Sequence, residues 1–173
     1  MENGIRFPSF KRKNYRRRYP LPNIIDILDQ LGGAQYFSVC DLASGFYQIK
    51  MDPADSHKTA FTTPFDHYEF DRMPFGLKNA PAIFQRLMDL VLSGLQGEEL
   101  FVYMDIVIYA ASLEAHKRKY KLLIERLPKA DLKLQPDKCE FLKTEVTYLG
   151  HVISKDGVKP DPKKSETAPG IQV

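Results

Sequence analysis

Between Leu100 and Ala110 the chain runs LFVYMDIVIYA, eleven residues in which Asp105 is the only charge. The run is rich in β-branched and aromatic side chains, which favour strands, and too short to be a long helix or a membrane span. It therefore reads as two short strands meeting in a tight turn beside Asp105. Strands this apolar have to be covered by other elements, so the rest of the sequence is read for what can cover them.

Two amphipathic helices are available. Ala80, Ile83, Phe84, Leu87, Met88 and Val91 repeat at helical spacing and predict a helix over 79–94, ended by Gly94 and Gly97. Ser112 caps a second, with Leu113, Tyr120, Leu123, Ile124 and Leu127 along one stripe, and Pro128 discourages its continuation. A shorter helix starts at Asn23, carries Ile24, Ile27, Leu28 and Leu31 on one face, and stops at Gly32-Gly33. Strands are predicted at Tyr36–Cys40 running into Asp41, at 58–64 and 67–73 joined at Phe65-Asp66, and at 146–149 and 151–153 bent at Gly150. This order predicts an α+β fold, an antiparallel sheet with helices packed on one face and the other face open to a ligand. Residues 1–18 read as a basic irregular segment, 19–164 as the folded domain and 165–173 as a frayed tail.

The net charge of +3 is unevenly placed. Residues 1–20 hold Arg6, Lys11, Arg12, Lys13, Arg16, Arg17 and Arg18 against Glu2, so this segment is +6 and the remainder −3. Such density suits a phosphate backbone, with Lys11 and Arg12 as candidate contacts; a solvated terminus or a localisation signal is the alternative. There is no zinc spacing, no Gly-rich phosphate loop, no glycosylation sequon and no apolar signal core. Cys40 and Cys139, far apart in sequence, read as free thiols in a reducing, intracellular compartment, cytoplasm or nucleus.

Asp41 and Asp105 each stand at the end of an apolar strand, where a charge packs badly. A single aspartate there is usually a turn or cap residue. Two brought together would raise each other's pKa unless a cation lay between them. A hard divalent ion with oxygen ligands fits such a pair, and the chemistry it supports is phosphoryl transfer.

The blocks YPLPNIIDILDQLGGAQYFSVCDLASGFYQIK, KTAFTTPFDHYEFDRMPFGLKNAPAIFQRLMD, FVYMDIVIYA and LKLQPDKCEFLKTEVTYLGHVISKDGVKPDPKK follow one another from Tyr19 to Lys164. Together, over about 145 of the 173 residues, they resemble the reverse transcriptase domain of gypsy-type LTR retrotransposons, truncated to the palm and part of the fingers. The resemblance implies RNA-directed DNA synthesis from deoxynucleoside triphosphates on an RNA or DNA template-primer, with two Mg²⁺ or Mn²⁺ ions. It implies no membrane partner, and other parts of a retroelement polyprotein as possible partners.

Residue by residue, Asp41 resembles the first metal-binding aspartate and Leu42 the donor of a backbone carbonyl to the same metal. Phe46 resembles the aromatic gate that excludes a 2′-hydroxyl; an ordinary core aromatic is the alternative. Phe75 and Gly76 resemble the block beneath the incoming nucleotide. Tyr103, Met104 and Asp105 resemble the hairpin carrying the other aspartates. Lys138 resembles a lysine near the triphosphate, and Leu149 and Gly150 the hairpin that grips the primer end. The family's hairpin carries two adjacent aspartates, whereas Asp105 is followed at once by Ile106. The missing residue is expected either to tighten the turn or to slip the register and exchange the faces of Ile106 to Tyr109. Asp131 stands where glycine is common, and little of the fingers precedes Tyr19. Weak or absent polymerase activity is therefore expected, with a catalytically dead remnant that binds nucleic acid as the alternative. A different palm-type nucleotidyl-transferring domain, such as a cyclase, fits the MPFGLKNAP and YLGHVIS blocks less well.

Overall fold

The computed structural model describes residues 19, 20 and 22–162. The basic segment with Lys11 and Arg12, the tail after 165 and the last residues of the expected domain lie outside them.

The centre is a four-stranded antiparallel sheet in the order β4-β5-β1-β6. β1 is Tyr36–Cys40, β4 Leu100–Tyr103, β5 Asp105–Ala110 and β6 Glu140–Lys143. The apolar run folds as expected: β4 and β5 pair from Leu100↔Ile108 to Tyr103↔Asp105, with Met104 alone between them at φ 67°. The turn is a single residue, and the ladder runs without a break up to it. Ile106 and Ile108 lie on one face with Leu100 and Val102, and Val107 on the other with Phe101.

On the first face lie α3 (Ala80–Val91) and α4 (Leu113–Arg126), closing a core around Phe84, Met88, Leu92, Ile106, Ile108 and Leu123. Ser112 caps α4 by accepting from Ala115 N at 3.2 Å. α4 is further held by a two-pronged Arg118–Glu99 contact at 2.7 and 2.8 Å and by Lys119, which donates to Glu98 O and lies 4.3 Å over the Tyr109 ring.

The second face is largely covered. α1 (Ile24–Leu31), capped by Asn23, sets Ile27, Leu28 and Leu31 against Phe37, Phe101 and Val107. A separate three-stranded sheet of β7 (Glu145–Tyr148), β8 (His151–Ser154) and β9 (Gly157–Pro160) adds Val146, Tyr148 and Ile153. The open face expected from the sequence shrinks to the strand ends at Asp41 and Asp105, because two further apolar stripes needed burial.

Between β1 and α3 lie a 3-10 turn, Gly45–Gln48, a short helix α2 (Pro53–Ser56), and β2 (Phe61–Thr62) paired with β3 (His67–Tyr68). The strands expected over 58–64 and 67–73 are thus only two residues each. Their side chains are largely exposed, and residues 71–73 leave this pair to bond residues 49–51 around a Lys50–Arg72 bridge. No helix among the described residues is long and apolar enough to cross a membrane.

A polar contact crosses the first core. Ser38 on β1 is fully buried; its Oγ accepts from Leu142 N at 2.9 Å and lies 3.0 Å from His116 Nε2 on α4. With one lone pair engaged by Leu142, the hydroxyl donates most simply to a neutral imidazole. Burial, then nearby Lys119, holds the His116 pKa below its ordinary value. The folded state thus favours the neutral ring. Its contribution is complete above the unfolded-state value and is lost as pH falls through that value toward the lowered one. The melting temperature should therefore drop between about pH 7.5 and 5.5 more steeply in the native chain than in His116→Gln. Parallel pH profiles for the two proteins, measured by thermal denaturation, would remove His116 from this role.

Candidate active site

β1 and β5 pair antiparallel from Tyr36↔Ala110 to Cys40↔Ile106. One further step sets Asp41 across from Asp105, with both side chains on the face of Phe37, Val39 and Val107. The two acids expected to work together, sixty-four positions apart, are thus lateral neighbours at one sheet end. The Asp105 carboxyl is held above the usual range by burial, then by the charge of Asp41, and is partly relieved by Lys138. Lys138 ends a 3-10 turn, Pro136–Lys138, and its Nζ lies 3.7 Å from Asp41 Oδ2. The lysine that the sequence left as a solvated turn residue or a phosphate contact is therefore beside the pair.

Leu42 is buried, and its bridge to Leu134 is of the type in which its own peptide groups point away from that partner. The flanking bonds are Ala43 N→Lys133 O at 3.0 Å and Gln135 N→Asp41 O at 2.8 Å. By alternation the Leu42 carbonyl is directed toward the β5 side. The donors on hand are then two carboxylates and one carbonyl; no group of three His, Cys, Asp or Glu side chains suited to a metal exists among the described residues.

Tyr148, whose role the sequence did not reveal, ties the β7–β8 hairpin to the site. Its hydroxyl donates to Asp105 O at 3.2 Å, and burial, then Asp105, pushes its pKa up. The hairpin turns through Leu149 and Gly150, both at positive φ (52° and 77°), a mirror-image two-residue turn that favours glycine at its second position. Leu149 and Gly150 are thus brought to the same end of the molecule as Tyr103, Met104 and Asp105.

After Leu42 the chain reverses through Ser44 and Gly45. A Cβ on Gly45 would lie 2.9 Å from the Phe84 ring, so only glycine lets the turn sit this close to α3. Phe46 is 8% exposed and touches Phe84 on its core side and Phe75 on its outer side, with ring centroids 5.6 and 5.3 Å away. Its packing is that of a core aromatic set between the buried Phe84 and the exposed Phe75. Phe75 is 60% exposed, and Gly76 follows at φ 89° with open space around it. Cys40 and Cys139, far apart in sequence, are neighbours here; burial, then Cys139, pushes the Cys40 thiol up to about 12.

Residues 7–153 match the family model for reverse transcriptase (RNA-dependent DNA polymerase). The chain is 52% identical over 148 residues to the retrovirus-related Pol polyprotein from transposon 297 of Drosophila melanogaster, covering 85% of the chain and 14% of that polyprotein. It is 40% identical over 161 residues to the corresponding polyprotein of transposon gypsy from the same organism, covering 92% of the chain and 16% of the relative. Among solved structures it resembles a foamy viral protease-reverse transcriptase in complex with an RNA/DNA hybrid, with TM-score 0.76, 25% identity, and coverage of 87% of this chain and 21% of that one. A double-stranded DNA complex of the same viral enzyme gives TM-score 0.77 at 25% identity, covering 87% and 27%. The chain thus spans about a seventh of the length of these polyproteins.

A raised Asp105 pKa means that the protonated form is favoured by folding. That contribution is full below the ordinary carboxylate range and disappears as pH rises through the raised value. In metal-free buffer at neutral pH, Asp105→Asn should raise the melting temperature by roughly 2–4 °C, the shift that about 1 kcal/mol produces in a chain of this size. Asp41→Asn should shrink that gain. A gain that is absent, or equal at about pH 3 and pH 7, would mean the two carboxylates do not repel each other.

Proposed function

Because the chain belongs to the reverse transcriptase (RNA-dependent DNA polymerase) family, we propose that Asp41 and Asp105 hold a divalent cation for template-directed DNA synthesis. The observation that carries this reading is that the two carboxylates stand side by side one step beyond the Cys40–Ile106 pair, with the Asp105 pKa raised by burial and then by the charge of Asp41. A hard ion such as Mg²⁺ or Mn²⁺ suits this oxygen set, with Asp41, Asp105 and the Leu42 carbonyl as donors and substrate phosphates completing the shell. When bound, such an ion supplies charge stabilisation for phosphoryl transfer.

The chain's own residues do the positioning. Tyr148 fixes the backbone of Asp105 and brings the Leu149-Gly150 turn, the proposed primer contact, beside it. Phe46, backed by Phe84, presents a rigid ring edge where a sugar would lie; a 2′-hydroxyl there meets carbon instead of a partner. Phe75 and the open backbone at Gly76 offer a face for a base. Lys138, now beside Asp41, is placed to exchange that carboxylate for a triphosphate oxygen. The partners of this reading are an RNA or DNA template-primer and deoxynucleoside triphosphates, with Lys11 and Arg12 as further backbone contacts.

One observation favours the second reading, a remnant with little catalysis. The β4–β5 turn contains Met104 alone, so the hairpin offers one carboxylate where two are expected, and a second ion finds few protein donors among the described residues. We propose that this chain's polymerase activity is weak for that reason. Inserting an aspartate between Asp105 and Ile106 would convert the one-residue turn into the common two-residue type while leaving β5 in register. On poly(rA)/oligo(dT), primer extension by the native chain should be faint and lost in Asp105→Ala. The insertion should raise it by at least about tenfold. Robust extension that survives Asp105→Ala would contradict the assignment, and binding of template-primer without extension in any variant would leave the remnant reading standing.

A further inference from the structure

We infer that Gln48 is a positioning residue for the metal-binding strand end: its side-chain amide locks the Leu132–Gln135 segment onto the Asp41–Ala43 turn. This rests on the metal site proposed above.

The regular ladders stop short of the site. β1 pairs with β5 as far as Cys40↔Ile106 and with β6 as far as Val39↔Glu140. On their other edge Asp41 to Ala43 are bonded to residues 133–135 through the Leu42–Leu134 bridge and its two flanking hydrogen bonds, with Cys139 Sγ also 3.7 Å from the Asp41 carbonyl. That segment belongs to no strand. It leaves a turn at Asp131, where φ is 56°, and enters the 3-10 turn that ends at Lys138.

Gln48 supplies the missing rung. Its Oε1 accepts from Lys133 N at 2.7 Å, and its Nε2 donates to Lys133 O at 2.9 Å and to Ala43 O at 2.7 Å. One planar amide thus takes the place of a backbone peptide, satisfying both polar groups of Lys133 and one of Ala43. Gln48 is itself braced: Arg72 Nη1 donates to its carbonyl at 3.1 Å, and the flanking Phe46 and Ile49 are buried in the core.

The consequence reaches the carboxylates by short steps. Gln135, two residues past Lys133, donates to the Asp41 carbonyl, and its own carbonyl accepts from Lys138 N at 3.0 Å. A shift of this segment moves the backbone of Asp41 and Leu42 and the Lys138 ammonium together. Groups standing behind metal ligands typically change affinity by about 10–100-fold when removed.

The test is Mn²⁺ binding to the full chain, read from the electron paramagnetic resonance signal of the free ion. Gln48→Met keeps the volume and loses all three bonds. Gln48→Glu, nearly isosteric, keeps the acceptor for Lys133 but sets an anion against two carbonyls, and it serves if the first variant does not fold. Gln96→Met is the control, since Gln96 bonds Asp89 on α3. The expected result is an affinity about 10–100-fold weaker in both Gln48 variants and unchanged in Gln96→Met, with circular dichroism unaltered. Native affinity in a folded Gln48 variant, with binding abolished by Asp41→Asn, would overturn the role of Gln48 and leave the metal site standing. A native chain that binds Mn²⁺ no better than Asp41→Asn would overturn both.

Discussion

The antiparallel register of β1 against β5 is the constraint on which the site depends. Directly opposed residues on neighbouring strands have Cβ atoms about 4.5–5.5 Å apart, close enough for two carboxylates to sense each other and share a cation. With Tyr36 opposite Ala110, Asp41 falls opposite Asp105. A slip of one residue would turn Asp105 toward α3 and α4, into a core of Phe84, Met88 and Leu123, where an unpaired charge is prohibitive.

That register is fixed from both sides. Ile106 and Ile108 are fully buried against α3 and α4, and Val107 against α1 and the β7–β9 sheet. The Ser38–His116 contact ties β1 to α4, while Leu142, at positive φ, donates to the same hydroxyl from β6. The tight turn at Met104 and the Tyr148 bond to the Asp105 carbonyl then hold the hairpin tip. Repulsion between the two acids is thus carried by a frame whose stability comes from apolar burial elsewhere, and under the proposed function a bound cation would relieve it.

Much of the frame is legible in the sequence. α1 and α4 announce themselves by cap and stripe, and β4–β5 by an apolar run with one acid. Asp131 at a position where glycine is common matches a left-handed residue in the structure. Other parts carry no local signal. β6 is an edge strand with all four residues exposed, so no alternation marks it, and β9 contains Gly157 and Pro160, which argue against a strand. Residues 58–64 have the composition of a strand but only a two-residue partner. Within the site, each acid is a charge at the end of an apolar strand, which alone reads as a turn or cap residue; the resemblance to the family's blocks is what singles out the pair. Gln48, Ser38, His116 and Tyr148 could not be singled out, since each acts through a partner distant in sequence, and an amide, hydroxyl or imidazole there has no periodicity. The proximity of Cys40 and Cys139 was hidden for the same reason, because it follows from the β1–β6 register.

The most direct test of a shared cation site is to replace Mg²⁺ by Fe²⁺ and map where the bound ion cuts the backbone in the presence of ascorbate and peroxide. Cleavage should fall at two places, next to Asp41-Leu42 and next to Met104-Ile106, and both sets of fragments should disappear with excess Mg²⁺. Cutting at one of these places alone, or at neither, would contradict a cation held jointly by Asp41 and Asp105.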